Sequence, residues 1–283
     1  MLSDTNEILM SENLNERMEV ASLTKIMTAY TVLCICHSNG IKIREEEIVI
    51  HQEAAWMEGT SAGLKIGESA FVIDLLYGLL LPSGNDAAVA LAQYFGKFLS
   101  FKLARDNKTM LSKTSVEKFN VHKKFYDTEY KADSIKLFTF EMNKNCSKIG
   151  LKNTYFCNPT GLSNTKSYST AKDMAILTSH CLKNHLLRNI FKRKAYSCEV
   201  RNEKLASTRL IEWKNTNRHL FQFRECIGVK TGITPNAGPC LSSAYKILGR
   251  ELVVIVLNCP SVDERYQDAE NLFKHSRKKV RVF

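Results

Sequence analysis

The chain has 283 residues, 44% hydrophobic and 24% charged, with a formal net charge of +11. This composition excludes a disordered or fibrous chain. It leaves one large globular domain or two smaller ones, long enough to bury a core and shield a cleft.

The charge is localised. Residues 97–136 hold ten Lys/Arg against five Asp/Glu, and residues 274–281 add five basic residues and no acid. Such runs are ordinarily solvated faces; the functional alternative is a pair of patches for an anionic polymer or membrane surface. Nine Cys occur without a C-x-x-C pair. That pattern reads as scattered buried thiols rather than a disulfide framework, and it favours a reducing compartment. The opening residues Met1-Leu2-Ser3-Asp4-Thr5-Asn6 lack the basic and apolar regions of a secretory leader. No apolar run reaches the roughly 18 residues of a membrane-spanning helix.

In chain order, residues 7–10 read as a short strand. Residues 22–36 read as a helix, with Leu23, Ile26, Met27, Tyr30, Leu33 and Cys34 at three-to-four spacing and Gly40 as the stop. Residues 71–81 form a second apolar helix ended by Pro82, and residues 86–95 a third. Residues 97–136 are Lys-rich and poorly periodic, and read as a partly helical basic insertion. The helical pattern returns from about 138. Asn158-Pro159-Thr160-Gly161 is a turn signal, and residues 170–182 are helical. Residues 228–231, 240–247 and 251–258 read as strands, the last with an apolar run expected of a strand covered on both faces. Ser261 with Glu264 opens a final helix carrying Tyr266, Ala269, Leu272 and Phe273 on one face. The expected fold class is α+β, an antiparallel sheet built from both chain ends with an inserted helical subdomain.

Three short patterns carry chemistry. In Ser22-Leu23-Thr24-Lys25 a helix puts the hydroxyl and the amine on one face. Serine needs a base, and lysine serves as one only when burial or a nearby cation lowers its pKa. Ser83-Gly84-Asn85 lies between two apolar helices, where a hydroxyl can relay a proton and an amide can hold a carbonyl or the lysine. Lys230-Thr231-Gly232 lies on a late strand, where the Lys and Thr can bind a carboxylate and the Gly admits a ligand backbone. Taken singly, each reads first as a helix cap or a strand end rather than a site.

Together, in this order, they are the Ser-x-x-Lys, Ser-x-Asn and Lys-Thr-Gly set of β-lactamases and penicillin-binding proteins. The flanks sharpen the match. Ala21 to Tyr30, Ser83 to Ala88, Gly150 to Thr154, Asn158 to Leu162, Tyr168 to Ala175, Asn215 to Arg218 and Val229 to Gly232 resemble the low-molecular-weight D-alanyl-D-alanine carboxypeptidases.

The resemblance implies a β-lactamase/DD-peptidase-like fold, with residues 1–275 as one catalytic domain and residues 276–283 as a basic tail. It implies that Ser22 attacks the penultimate D-Ala of a peptidoglycan stem peptide while Lys25 takes its proton. Ser83 and Asn85 would pass protons and position the peptide. The backbone N–H groups of Ser22 and Ile233 would form the oxyanion hole, and Lys230, Thr231 and Gly232, with Arg218, would hold the carboxylate. β-Lactams would inhibit; no metal, cofactor or nucleic acid is called for. Family members are usually extracytoplasmic, which sits against the leaderless start and the thiol content. The sequence departs from the family's pattern at that start, at Lys172 in place of the middle-region Arg, at Ile233 in place of a frequent His, and in ending soon after the last helix. The alternatives are a β-lactamase, although the Glu-x-x-Leu-Asn stretch is missing, a binding protein of this fold without turnover, and an anion-binding module.

Overall fold

The computed structural model describes residues 1–109 and 132–280. A 3-10 turn, Ala21–Leu23, leads into α1, Thr24–Asn39. Apolar Ile26, Met27, Ala29, Val32, Ile35 and Cys36 are buried, and so are Thr24, Lys25, Thr28 and Thr31. Buried positions run round the whole circumference, so α1 is the central helix of its layer rather than an amphipathic surface helix. Gly40 closes it, donating its N–H to the carbonyls of Cys36 and His37.

After the short helix α2 (Gln52–Ala55), α3 (Val72–Leu80), α4 (Asn85–Thr109), α5 (Ala132–Lys148) and α6 (Ala171–Leu182) pack around α1. The Thr170 hydroxyl caps α6 by accepting from the Asp173 N–H at 3.1 Å. α7 (His185–Lys192) follows at once, capped by Asn184.

The described residues form two antiparallel sheets. The first has the order β1 (Glu47–Val49), β2 (Ser69–Phe71), β3 (Ala195–Asn202), β4 (Ser207–Lys214). The second has the order β5 (Cys226–Thr234), β6 (Gly238–Ile247), β7 (Arg250–Val256), with the short helix α8 (His219–Gln222) just before β5. The final helix α9 (Val262–Val280) packs on β6 and β7, while α6 packs on β7 and α7 on β5. Helices therefore cover both faces of the second sheet, which explains its nearly unbroken apolar strands. Tyr266, Ala269, Phe273 and Val280 of α9 join Leu241, Tyr245, Leu252 and Val254 in a core of their own. Each large side chain buried there contributes about 1.5–3 kcal/mol. Ser261 caps α9, accepting from the Glu264 N–H at 3.1 Å.

The α+β class and the three late strands match the sequence expectation; several details differ. Residues 7–10 form no strand. The N-terminus meets β7 instead through Leu2, bridged to Leu252, with the Met1 amine donating to the Val253 carbonyl at 2.8 Å. The strands are not confined to the chain ends, because β1 and β2 lie between helices. The hairpin β3–β4 was not anticipated. Its buried Cys198, Val200, Ile211 and Trp213 alternate with exposed, mostly charged residues, a period-two signal that was present in the sequence. Phe71 ends β2 rather than opening α3. Of the basic stretch 97–136, residues 97–109 complete α4 and residues 132–136 open α5; residues 110–131 lie outside the described residues. Residues 276–280, expected as part of a tail, are the last turns of α9.

Seven of the nine thiols are buried and two are half-buried. Burial raises Cys240 to about 11 and Cys36, Cys146, Cys198, Cys226 and Cys259 to about 12. Unfolded thiols ionise near 8.5, so above that pH the folded state holds more protons and stability falls as pH rises. Melting curves are expected to move to lower temperature stepwise from about pH 8.5 to about pH 10.5. A flat profile over that range would contradict the buried placement.

Candidate active site

The start of α1 is where the three boxes converge. Ser22 sits in the 3-10 turn and Lys25 one turn on, fully buried. The Lys25 Nζ lies 2.9 Å from Ser22 Oγ, 2.7 Å from Asn85 Oδ1 and 2.6 Å from the carbonyl of Thr160. In the neutral amine, two protons serve Asn85 and Thr160, and the lone pair is left for the Ser22 hydroxyl. Burial holds Lys25 well below the ordinary lysine value; the Lys230 cation adds to this and Asp86 opposes it.

Each acceptor is fixed by neighbouring chain. Asn85, at the first position of α4, donates its Nδ2 to the Glu58 carbonyl at 2.6 Å, which turns its oxygen toward Lys25. The loop that supplies Glu58 is pinned by Asp86, which accepts from the N–H groups of Ala62 and Leu64 and from the Ser61 hydroxyl. Trp213 Nε1 donates to the Ala62 carbonyl at 2.7 Å and ties the same loop to β4. Thr160 belongs to a turn organised by Asn158, whose Oδ1 accepts from the Thr160 N–H and hydroxyl and the Gly161 N–H. The Thr28 hydroxyl donates to the Pro159 carbonyl at 2.7 Å and fastens this turn onto α1.

Gly161 has φ +81°, and a Cβ there would lie 2.0 Å from the Ala21 carbonyl oxygen and 3.0 Å from the Ser22 nitrogen. Gly161→Ala is thus expected to displace the turn that carries Ser22. Acylation by a penicillin should slow by about 100-fold or more, as misplacement of about 1 Å does at other sites. Stopped-flow acylation rates check this, and a rate within a few-fold of the parent would refute the contact.

The third box lies on β5, the edge strand of its sheet. A Cβ at Gly232 would lie 3.0 Å from the Ser22 nitrogen, so the strand runs directly beside the 3-10 turn. Lys230 is 1% exposed and donates to the Thr231 carbonyl at 2.8 Å. Burial, and after it the neighbouring Arg265, lower Lys230 to about 7. Thr231 Oγ1 is 2.7 Å from Thr216 Oγ1. Ile233 is 55% exposed and opens onto a groove of about 790 Å3 bounded by Pro235, Pro239 and Pro260. A second groove, of about 780 Å3 between residues 8–18, β7 and α9, holds none of the three boxes; Lys172 lines it.

Two expected residues fall differently. Ser83 is buried with φ +69°, and its Oγ has no hydrogen-bond partner among the described residues; it does not reach Lys25. Its carbonyl accepts from the Thr60 hydroxyl at 2.6 Å. Arg218 is exposed, bound to Asp263 at 2.8 Å and lying over the Tyr266 ring. The cation behind β5 is instead Arg265 of α9, buried, donating to the carbonyls of Gly232 and Cys240, with its Nε unpartnered among the described residues. Sequence reasoning missed Arg265 because it read α9 only for its apolar stripe. It also missed the Glu58 and Thr160 carbonyls, which no side-chain pattern announces.

A mixed helical and antiparallel layer with a half-buried serine bonded to a fully buried lysine at their junction is the arrangement of serine acyl-transfer peptidases. A family model described as D-alanyl-D-alanine carboxypeptidase matches residues 1–100 and 128–261, and the chain belongs to that family. The match passes over residues 101–127, within the basic stretch.

The chain is 30% identical over 276 residues to the D-alanyl-D-alanine carboxypeptidase of Streptomyces sp. (strain K15), covering 97% of this chain and 84% of that protein. It is 30% identical over 262 residues to DacF of Bacillus subtilis, covering 93% of this chain but only 57% of that one. Among solved structures, the Streptomyces K15 DD-transpeptidase superposes with a TM-score of 0.79 at 30% identity, covering 97% of this chain and 93% of that one. DacD of Francisella tularensis gives 0.77 at 26% identity, covering 97% and 68%. These comparisons favour a serine-type D-Ala-D-Ala carboxypeptidase over the β-lactamase alternative. No helix among the described residues is long and apolar enough to cross a membrane.

Proposed function

We propose that Ser22 is the acylating nucleophile of a D-Ala-D-Ala carboxypeptidase reaction on peptidoglycan-type stem peptides, with Lys25 as its base. The observation that carries this reading is the Lys25 amine, fully buried and 2.9 Å from the Ser22 hydroxyl. Ser22 gives its proton to Lys25 and attacks the penultimate D-Ala carbonyl. The N–H groups of Ser22 and Ile233 take the developing oxyanion charge. Lys230 and Thr231 hold the terminal carboxylate by charge-assisted hydrogen bonds, with Arg265 behind them keeping the region cationic. Asn85 keeps Lys25 and the peptide in register. The buried Ser83 hydroxyl lacks a partner, and leaving such a group unpaired costs about 1–3 kcal/mol. A substrate amide or the leaving amine supplies that partner, so the hydroxyl forms its bonds only with substrate in place. D-Alanine leaves with the proton that Lys25 took from Ser22, and water then hydrolyses the acyl-enzyme.

The test is incubation with a penicillin, followed by intact mass and peptide mapping. A lasting adduct on the peptide containing Ser22 supports the reading, as does D-alanine release from an acyl-D-Ala-D-Ala peptide. Rapid drug loss without an adduct would favour a β-lactamase. No adduct and no drug loss in folded protein would leave the fold without this chemistry.

A further inference from the structure

With Ser22 as the acylating residue, β5 sets the direction of the bound peptide. Thr231 holds the terminal carboxylate and the Ile233 N–H faces the carbonyl under attack. The step from Thr231 to Ile233 thus passes from the leaving D-Ala to the acylated one. The upstream part of the stem peptide continues toward Thr234 and the turn between β5 and β6.

The chain just before Ser22 lies against that end of β5. A Cβ at Gly232 would lie 3.1 Å from the Val20 carbonyl oxygen, and Asn236, in the β5–β6 turn, donates to Glu19 at 3.4 Å. This segment is one strand of a small antiparallel ladder. Met18 bridges Ser169, which sets Glu19 opposite Tyr168, and Tyr168 bridges Tyr155. The inner face of the ladder is closed: the Thr154 and Ser169 hydroxyls are 2.8 Å apart, and Thr154 donates to Asp173 at 2.8 Å. Alternation puts Tyr155, Tyr168 and Glu19 on the outer face, which adjoins the β5–β6 turn through the Glu19–Asn236 contact.

Tyr155 and Tyr168 stack across the ladder, with ring centroids 6.4 Å apart and planes 29° apart. Tyr155 is 46% exposed, and neither hydroxyl is hydrogen-bonded among the described residues. The Arg17 guanidinium lies 4.8 Å from the Tyr168 centroid. Asn153 holds it there, its Oδ1 accepting from Arg17 Nε at 3.2 Å and Nη2 at 2.7 Å. Rigid aromatic faces beside a pre-set donor match a ring with apolar C–H faces and a hydroxyl rim. The reach agrees. Glu19 is three residues from Ser22, at most about 11 Å of chain, and the three stem residues that precede D-Ala-D-Ala span about the same. In peptidoglycan the sugar comes next.

We propose that Tyr155 and Tyr168, with Arg17, form a saccharide subsite that takes the pyranose ring bearing the stem peptide, in the orientation that the acyl-transfer reading of Ser22 requires.

The experiment compares D-alanine release from an N-acetylated pentapeptide stem and from the same stem carrying its disaccharide. The readout is the ratio of the two kcat/KM values, which cancels any general loss of activity in a variant. The parent is expected to prefer the sugar-bearing stem by about 3- to 10-fold. Tyr155→Ala brings the ratio near one, whereas Tyr155→Phe, which keeps the ring, keeps the preference. A tyrosine pair that only stabilised the ladder would move both rates alike and leave the ratio unchanged. A parent ratio of one or below, or a preference that survives Tyr155→Ala, overturns the proposal while leaving the carboxypeptidase reading intact. Failure to release D-alanine from either stem, with no penicillin adduct at Ser22, overturns both.

Discussion

Ser22→Ala is expected to take up no penicillin and to lose D-alanine release by about 10^4-fold or more, because the nucleophile and base act as a unit. The substitution removes one oxygen from a half-buried turn and leaves Lys25 with Asn85 and Thr160 as acceptors. The loss of one hydrogen bond costs about 0.5–1.5 kcal/mol, too little to unfold the domain. The variant should therefore keep its circular dichroism and nearly its melting temperature while failing to form the adduct. A variant that still acylates would move the nucleophile elsewhere, and Ser83, buried and unpartnered, would be examined next.

Lys25→Met and Lys25→Arg should separate the base from its charge. Loss of a general base ordinarily costs about 10^2- to 10^4-fold, and Lys25→Met is expected to fall in that range. Lys25→Arg keeps the charge but never becomes neutral, so it should be inactive at every pH. In the parent, acylation rises with pH as Lys25 loses its proton and then levels. That limb lies well below the ordinary lysine range because burial, and then Lys230, disfavour the cation.

The same shift bears on stability. Between the depressed folded value and the unfolded value near 10.4, the unfolded chain binds more protons, so this group's contribution rises with pH across the window. The stability difference between the parent and Lys25→Met should accordingly move in the parent's favour as pH rises. Parallel stability profiles for the two proteins would mean that Lys25 titrates normally, and that the amine is a fixed cation rather than a base.

The sequence and the structure agree most closely where the chemistry is local. The Ser22–Lys25 spacing places both groups on one face of any helix, and the folded chain puts them 2.9 Å apart. Gly40 stops α1 in the left-handed backbone conformation, and the Thr170 and Ser261 hydroxyls cap the starts of α6 and α9. The apolar run in β7 is covered on both faces, by α6 and α9. Agreement fails where an element depends on its partner. Residues 195–214 form a hairpin because alternate side chains pack on α3 and on the Glu58 loop; Tyr196 reaches Asp74 and Trp213 reaches Ala62. Leu2 pairs with Leu252, at the other end of the chain, while the more apolar residues 7–10 pair with nothing in a sheet.

Residue type and short-range periodicity suffice for the α+β class, the order of the three boxes and the Ser22–Lys25 spacing. What depresses the Lys25 pKa is set by the fold. Its low pKa comes from burial among α1, α4 and the 158–162 turn, and from Lys230 on a strand far along the chain. Of its two acceptors, Asn85 is oriented by the backbone carbonyl of Glu58 and the other is itself the backbone carbonyl of Thr160, and neither carbonyl carries a side-chain signature. Arg265 rather than Arg218 lies behind the third box for the same reason: α9 crosses that sheet face and brings a buried guanidinium to it, whereas Arg218 finds Asp263 at the surface.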